Sequence, residues 1–242
     1  MATRGQPVYN VYPLANYTFG NKQPKLEKDG SVQDRLARLR NSYEQHGMRR
    51  SVEAILVVQE HNTPHVLLLQ LGLNHFKLPG GRLRPGEEEV EGLRRKLTSG
   101  LAPANPSLHV SWDVGEVVGV FYRPNFDTVF YPYVPPHITR PKESRKLFVV
   151  QLPERAVFAV PKNMRLVAVP LFDLYDNLPR YGPVITSVPA VLSRLRLNLQ
   201  FVLPAPPPHG GQQQGQQGQH GQGGYGQHGQ QQQHGEGGHY PP

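Results

Sequence analysis

The chain of 242 residues contains no cysteine. That excludes a disulfide framework, a thiol nucleophile and any thiolate metal site, and nothing in it argues for secretion. No apolar run is long enough to cross a bilayer, and the opening MATRGQPVYN lacks the apolar centre of a secretory leader. The expectation is a soluble intracellular protein without membrane contact. Acidic residues are the scarcer charge, 18 Asp and Glu against 26 Lys and Arg, for a formal +8. Such a balance favours a polyanionic partner without identifying it. Hydrophobic residues make up only 37%, little for a chain folded throughout, so part of it is expected to remain unfolded.

That part is the end of the chain. From 204 to 242 the sequence is Gly, Gln, His and Pro with almost no aliphatic side chains, and it cannot bury enough surface to offset its ordering entropy. A disordered low-complexity tail is expected. It holds five histidines (His209, His220, His228, His234, His239), whose irregular spacing suits a solvated, loosely interacting segment better than a metal site. No metal ligands and no cofactor are assigned.

Residues 1–30 read as an extended, irregular arm with Pro7, Pro13 and Pro24; its aromatics Tyr9, Tyr12, Tyr17 and Phe19 imply that it packs on a domain spanning 31–203. Ser31 and Asp34 form a capping-box pattern ahead of a helix whose stripe is Val32, Leu36, Leu39 and Tyr43, and Gly47 stops it. Strands are expected over Val52–Gln59 and Val66–Leu71, with HNTPH as the turn. Their near-continuous aliphatics suit a sheet covered on both faces. Further strands are expected over His109–Tyr122, bulged at Gly115, over Lys146–Leu152, over Phe158–Val160, and from Leu166, where a strand turns into a helix by Tyr175. The proline-rich stretch before Lys146 reads as a long loop, DNLPRYGP as another, and Val188–Leu197 as a last amphipathic helix.

Between them lies FKLPGGRLRPGEEEVEGLRRKLTSG, from Phe76 to Gly100. A strand end reverses at Gly80-Gly81 and turns again at Pro85-Gly86. Glu87, Glu88, Glu89 and Glu91 then enter a helix at its start, with Arg94, Arg95 and Lys96 toward its end, an order that complements the helix dipole. Val90, Leu93 and Leu97 form its buried stripe. The unit resembles the Nudix box, G-x5-E-x7-R-E-U-x-E-E-x-G-U with U aliphatic. Gly81, Glu87, Arg95 and Leu97 are in register, and Lys96, Ser99 and Gly100 stand where the family's enzymes carry glutamates that hold magnesium. Magnesium demands oxygen ligands, so Glu87 alone is not expected to support metal-assisted hydrolysis.

A wider resemblance joins the box to NVYPLANYTFG, GMRRSVEA, PHVLLLQL, RPNF, YPYVP, HITRPKE, FAVPKN and YGP. Together they resemble the small Nudix-fold subunits of pre-mRNA cleavage factor I, from about Asn10 to Phe201. The resemblance implies an α/β Nudix fold, a mixed β-sheet sandwiched between helices with an N-terminal helical extension. It also implies a nuclear, non-catalytic homodimer that binds the single-stranded RNA sequence UGUA in messenger precursors and works with a larger subunit carrying an RNA-recognition motif. The reading residues it implies are Glu27, Arg35, Glu53, Asn74, His75, Phe76, Leu78, Tyr181 and Gly182. Their chemistry suits base recognition, since Arg35 offers a planar fork, Glu27 and Glu53 accept hydrogen bonds, and Phe76 and Tyr181 are planes for stacking. Asn74 and His75 depart from the family pattern, which has a threonine and a second aromatic there; imidazole stacks with a smaller face. Judged by residue type alone, Arg35 equally suits a plain surface position, and Phe76 and Leu78 suit a core. Tyr181 is the hardest to assign to packing. The alternative is a Nudix hydrolase of nucleoside or dinucleoside polyphosphates built on Glu53 and Glu87 to Glu91.

Overall fold

The computed structural model describes residues 7–26 and 28–200. Glu27 and the tail expected over 204–242 lie outside the described residues. In chain order the strands are β1 (Val8–Val11), β2 (Tyr17–Lys22), β3 (Arg49–Glu60), β4 (Thr63–Leu71), β5 (His75–Lys77), β6 (Gly80–Arg82), β7 (Asp113–Arg123), β8 (Glu143–Gln151), β9 (Ala156–Pro161), β10 (Met164–Pro170) and β11 (Arg196–Leu199). The helices are α1 (Val32–His46), α2 (Glu89–Leu101), α3 (Leu171–Leu174), α4 (Leu178–Thr186) and α5 (Val188–Leu192). No described helix is long and apolar enough to cross a membrane.

β3 is the axis of the fold. Its β-branched and aliphatic run is buried from Ser51 to Gln59, as a central strand requires. It pairs in parallel with β8, from Arg49 opposite Glu143 to Leu56 opposite Val150, and antiparallel with β6 and then β4 along its other edge. The main sheet therefore runs β10-β4-β3-β8-β7 and is mixed. Side chains alternate across it. Val52, Ala54, Leu56 and Val58 enter one core with Leu93, Leu97 and Leu101 of α2, while Ile55 and Val57 enter another with Leu174, Val184, Val188 and Leu192 of α3 to α5. Each fully buried leucine contributes on the order of 1.5–3 kcal/mol. Helices cover both faces, as the sequence implied.

The local signals at α1 hold in detail. The Ser31 hydroxyl accepts from the Asp34 amide at 3.0 Å and donates to the Asp34 carboxylate at 2.8 Å, and Gly47, at φ 72°, ends the helix. Gly80 and Gly81 make the sharp reversal ahead of the box. A Cβ on Gly80 would stand 2.2 Å from the Val52 carbonyl oxygen, so β6 can approach β3 only with glycine there.

Elsewhere distant pairing overrides local pattern. The arm is regular where its prolines suggested irregularity: β1 lies parallel to β11 and β2 parallel to β9, partners too far along the chain to be seen locally. The helix expected over 188–197 stops at Leu192, because the next residues join β1 as β11. DNLPRYGP is mostly helical, forming the start of α4, which is bent where Gly182 takes φ 74° and ψ 171° ahead of Pro183. β7 begins at Asp113 rather than 109 and shifts register twice: once between Val114 and Val117, around the expected Gly115, and again between Val117 and Gly119. β8 begins at Glu143, three residues before the expected strand. α2 continues to Leu101, which leaves Arg94 to Lys96 in mid-helix and no basic residue in its last turn.

Candidate functional site

α1, β5, the bend of α4 and the beginnings of β3 and β8 converge on a cleft of about 430 Å3. Arg35, Glu53, His75, Phe76, Leu78, Tyr181 and Gly182 all line it, although they lie far apart in sequence. Asn74 is exposed in the turn before β5 and does not line it. α1 brings its apolar edge, Val32, Leu36 and Leu39, to one wall; Leu39 is buried, whereas Val32 stays exposed.

The opposite wall is aromatic. Phe76 is half-buried, and its ring centroid lies 5.0 Å from that of Tyr181 at an interplanar angle of 55°. The Arg180 guanidinium stands 5.5 Å from the first ring and 5.2 Å from the second, within cation–π range. Tyr181 proves to be a packed residue, 6% exposed, and its hydroxyl donates to Asp173 at 2.5 Å. Burial, then that bond, pushes the hydroxyl up to about 12. Tyr181 is therefore a fixed support for Phe76, and the reading of it as a loop residue unexplained by packing is corrected. Leu78 is 2% exposed and belongs to the core under the cleft rather than to an open apolar surface. His75 and Arg35 are exposed at the rim.

Below the rim lies a charged layer. Glu53 is buried with an oxygen 3.4 Å from Arg145, and burial pushes its carboxyl upward against the opposing pull of that guanidinium. Glu143, 2% exposed, accepts from the Ser51 hydroxyl at 2.7 Å and from Arg123 at 3.1 Å, with Arg145 at 3.7 Å and Arg49 at 3.9 Å. The guanidinium groups of Arg123 and Arg145 also lie 4.4 and 4.1 Å from the centre of the Phe130 ring. Arg49 Nε and Nη2 and Arg145 Nε are buried with no acceptor among the described residues. An unpaired buried donor costs about 1–3 kcal/mol, and more when charged, so these nitrogens favour a bound acceptor or water. Arg49, Arg123, Arg145 and Glu143 escaped the sequence reading. The RR of GMRRS and the ESRK that opens β8 were the visible signals, and neither shows that three arginines would share one glutamate.

The box lies on the α2 side of β3. Glu87 takes both its oxygens to Arg95, each at 2.6 Å, and also accepts from the Arg84 amide at 2.8 Å. The Arg95 guanidinium and that amide hold the Glu87 carboxyl at about 2. Glu89 accepts from Arg50 at 3.0 Å and Lys146 at 2.9 Å; Glu88 caps α2 through the Glu91 amide. These carboxylates are committed, where a merely solvated acidic turn was the simplest reading of the sequence. The Lys96 stem runs over Gly81, whose Cβ, if present, would stand 3.4 Å from Lys96 Cδ. A committed carboxylate beside a lysine and several arginines is a donor set unsuited to magnesium. Among the described residues, no three His, Asp or Glu side chains are grouped to hold a metal.

The family model NUDIX_2, described as nucleotide hydrolase, matches residues 7–195. The chain is 60% identical over 192 residues to the pre-mRNA cleavage factor Im 25 kDa subunit 2 of Arabidopsis thaliana, covering 79% of this chain and 96% of that protein. It is 51% identical over 195 residues to the cleavage and polyadenylation specificity factor subunit 5 of Dictyostelium discoideum, covering 80% and 96%. Among solved structures it is similar to the MutT protein of Bacillus halodurans, with a TM-score of 0.40, 15% identity and coverage of 62% of this chain and 86% of that one. The chain belongs to the Nudix family, within the group of 25 kDa cleavage factor Im subunits.

Proposed function

We propose that the cleft binds single-stranded RNA by sequence, with UGUA as its target, and that the protein acts without catalysis in nuclear pre-mRNA cleavage and polyadenylation. The observation that carries this reading is the convergence of Arg35, Glu53, His75, Phe76 and Tyr181 on one cleft. Reading single-stranded RNA takes planes for stacking and fixed donors and acceptors for base edges. Phe76 backed by Tyr181 supplies the plane; Glu53, fixed by Arg145, supplies an acceptor, and Arg35 a fork at the rim. The buried unpaired nitrogens of Arg49 and Arg145 add donors suited to base carbonyls. Glu27 is assigned to the same role from the family resemblance alone.

The names of the relatives support the processing role, and the Glu87–Arg95 pair with Lys96 supports the absence of metal-assisted hydrolysis. By the same resemblance the working form is a homodimer bound to a larger subunit with an RNA-recognition motif. Binding of a UGUA RNA compared with UCUA tests the proposal: a clear preference for the first is expected, and equal affinities would overturn it. Magnesium-dependent turnover of a dinucleoside polyphosphate that Glu87→Gln abolishes would instead restore the hydrolase reading.

A further inference from the structure

Across β3 from the cleft, one groove beside the box is lined by cations. The groove, of about 350 Å3, is walled by Lys28, Arg38, Arg82, Arg84, Arg95 and Lys96, with only Leu83 and Pro85 between them. Among the described residues, two nearby acids are spent: Asp29 on Arg38 at 2.5 Å and Glu87 on Arg95 at 2.6 Å. Among the described residues Arg82, Arg84 and Lys96 join no ion pair. Arg82 is oriented by donating to the Ser42 hydroxyl at 2.7 Å, so its fork is held in place. Lys96 is held below the ordinary lysine value, first by burial and then by Arg95, Lys25 and Arg84 nearby. Crowding of like charge on this scale disfavours the empty protein and favours a polyanion.

A smaller hollow links the groove to the cleft round the start of β3. Arg49 lines the cleft and also a smaller hollow of about 150 Å3, and that hollow shares Arg82, Leu83, Arg84 and Pro85 with the basic groove. On α1, Arg35 at the cleft and Arg38 at the groove are three residues apart, neighbours on the helix surface. A strand leaving the cleft past Arg49 therefore enters the groove. The described walls carry no aromatic ring, and guanidinium forks suit phosphate oxygens.

We infer that this groove binds the phosphodiester backbone of RNA flanking the bases held in the cleft, on one side only and without regard to sequence. The inference rests on the RNA-binding reading of the cleft. It also gives the altered box a use: Lys96, which stands where the family's enzymes carry a magnesium-holding glutamate, would here face phosphate directly.

The test uses the full chain, wild type and Arg82→Ala/Arg84→Ala/Lys96→Ala, with Arg84→Glu as a second variant confined to an exposed side chain. Affinities are measured for the UGUA tetranucleotide and for RNAs of about 12 nucleotides carrying it at the 5′ or the 3′ end, a length within single-strand site sizes. Both variants should keep the wild-type affinity for the tetranucleotide and lose about tenfold for one of the two extended RNAs. The triple variant should flatten the salt dependence of that RNA by about 2 in log–log slope, near 0.7 per phosphate contact. Unchanged affinity for both extended RNAs, or an equal loss on the tetranucleotide, overturns the inference. So does binding of inorganic pyrophosphate that the variants lose while extended RNA is unaffected. Failure of the cleft reading shows separately, as equal wild-type affinity for UGUA and UCUA. The groove is then judged on the same extended RNAs by whether the variants lose affinity.

Discussion

The cleft and the basic groove stand on opposite faces of β3 and use arginine in opposite ways. In the cleft, Arg49, Arg123 and Arg145 are gathered around buried Glu143 and Glu53, and their charge is spent on fixing one another. In the groove, the side chains of Arg82, Arg84 and Lys96 join no ion pair among the described residues. Burial makes the difference. A desolvated ion network gains little net stability but holds its donors in one geometry, as reading a base edge demands. Cations open to solvent on one side keep their attraction for polyanions but are screened by salt within about 8–10 Å.

The sharpest way to break this contrast is Glu143→Ala, which leaves the guanidinium groups around it without their shared carboxylate. A loss of about 3–5 kcal/mol in stability is expected from urea unfolding, as for other broken buried pairs. Next comes Phe76→Ala, which should lower UGUA affinity by about 1–3 kcal/mol through lost stacking, measured by titration calorimetry. Arg35→Ala should cost the same or less in affinity, and, being exposed, leave the unfolding midpoint nearly unchanged.

Two pH profiles set the faces apart further. Burial raises the Glu53 carboxyl above its ordinary value, so it protonates under milder acid than a solvated glutamate. If its carboxylate accepts from RNA, affinity falls as pH drops through that raised value, and Glu53→Gln flattens the profile. For folding the sign reverses: its stabilising contribution is present below the ordinary carboxylate value and disappears as pH rises through the raised one. Glu87 behaves in the opposite sense. Its carboxyl is lowered from an ordinary 4.5 to about 2, so the Arg95 pair stabilises above the ordinary value and is lost as pH falls through the lowered one. Glu87→Gln should be less stable than wild type at neutral pH, with the difference shrinking as pH falls toward 2, the smallest of these effects.

Features written in local chemistry were legible in the sequence. The Ser31–Asp34 cap, the Gly47 stop, the aliphatic runs of β3 and β4 and the glycine reversal at Gly80-Gly81 all state their structure within a few residues. Parallel pairing does not, which is why β1, β2 and β11 were missed. The candidate residues came from resemblance, and no spacing of Arg35, Glu53, His75 and Tyr181 signals that they would meet. Tyr181 shows the limit of reading a side chain by its neighbours, since Gly182 and Pro183 suggested an exposed loop. The bend they create instead turns its ring into the core and its hydroxyl onto Asp173.

The pairing of β1 with β11 also has a consequence in time. Tyr9 and Val11 are buried, and Asn10 bonds Asn198 side chain to side chain at 2.9 Å. On a ribosome the first strand emerges long before its partner exists, and its ladder to β11 must wait until that strand is made. The closure entropy of so long a loop rises only as the logarithm of its length, so the delay matters more than the free energy. The clasp is thus a late step of folding. Removing Arg196–Leu199 should expose the first strand to proteolysis as readily as removing Val8–Val11 exposes the last.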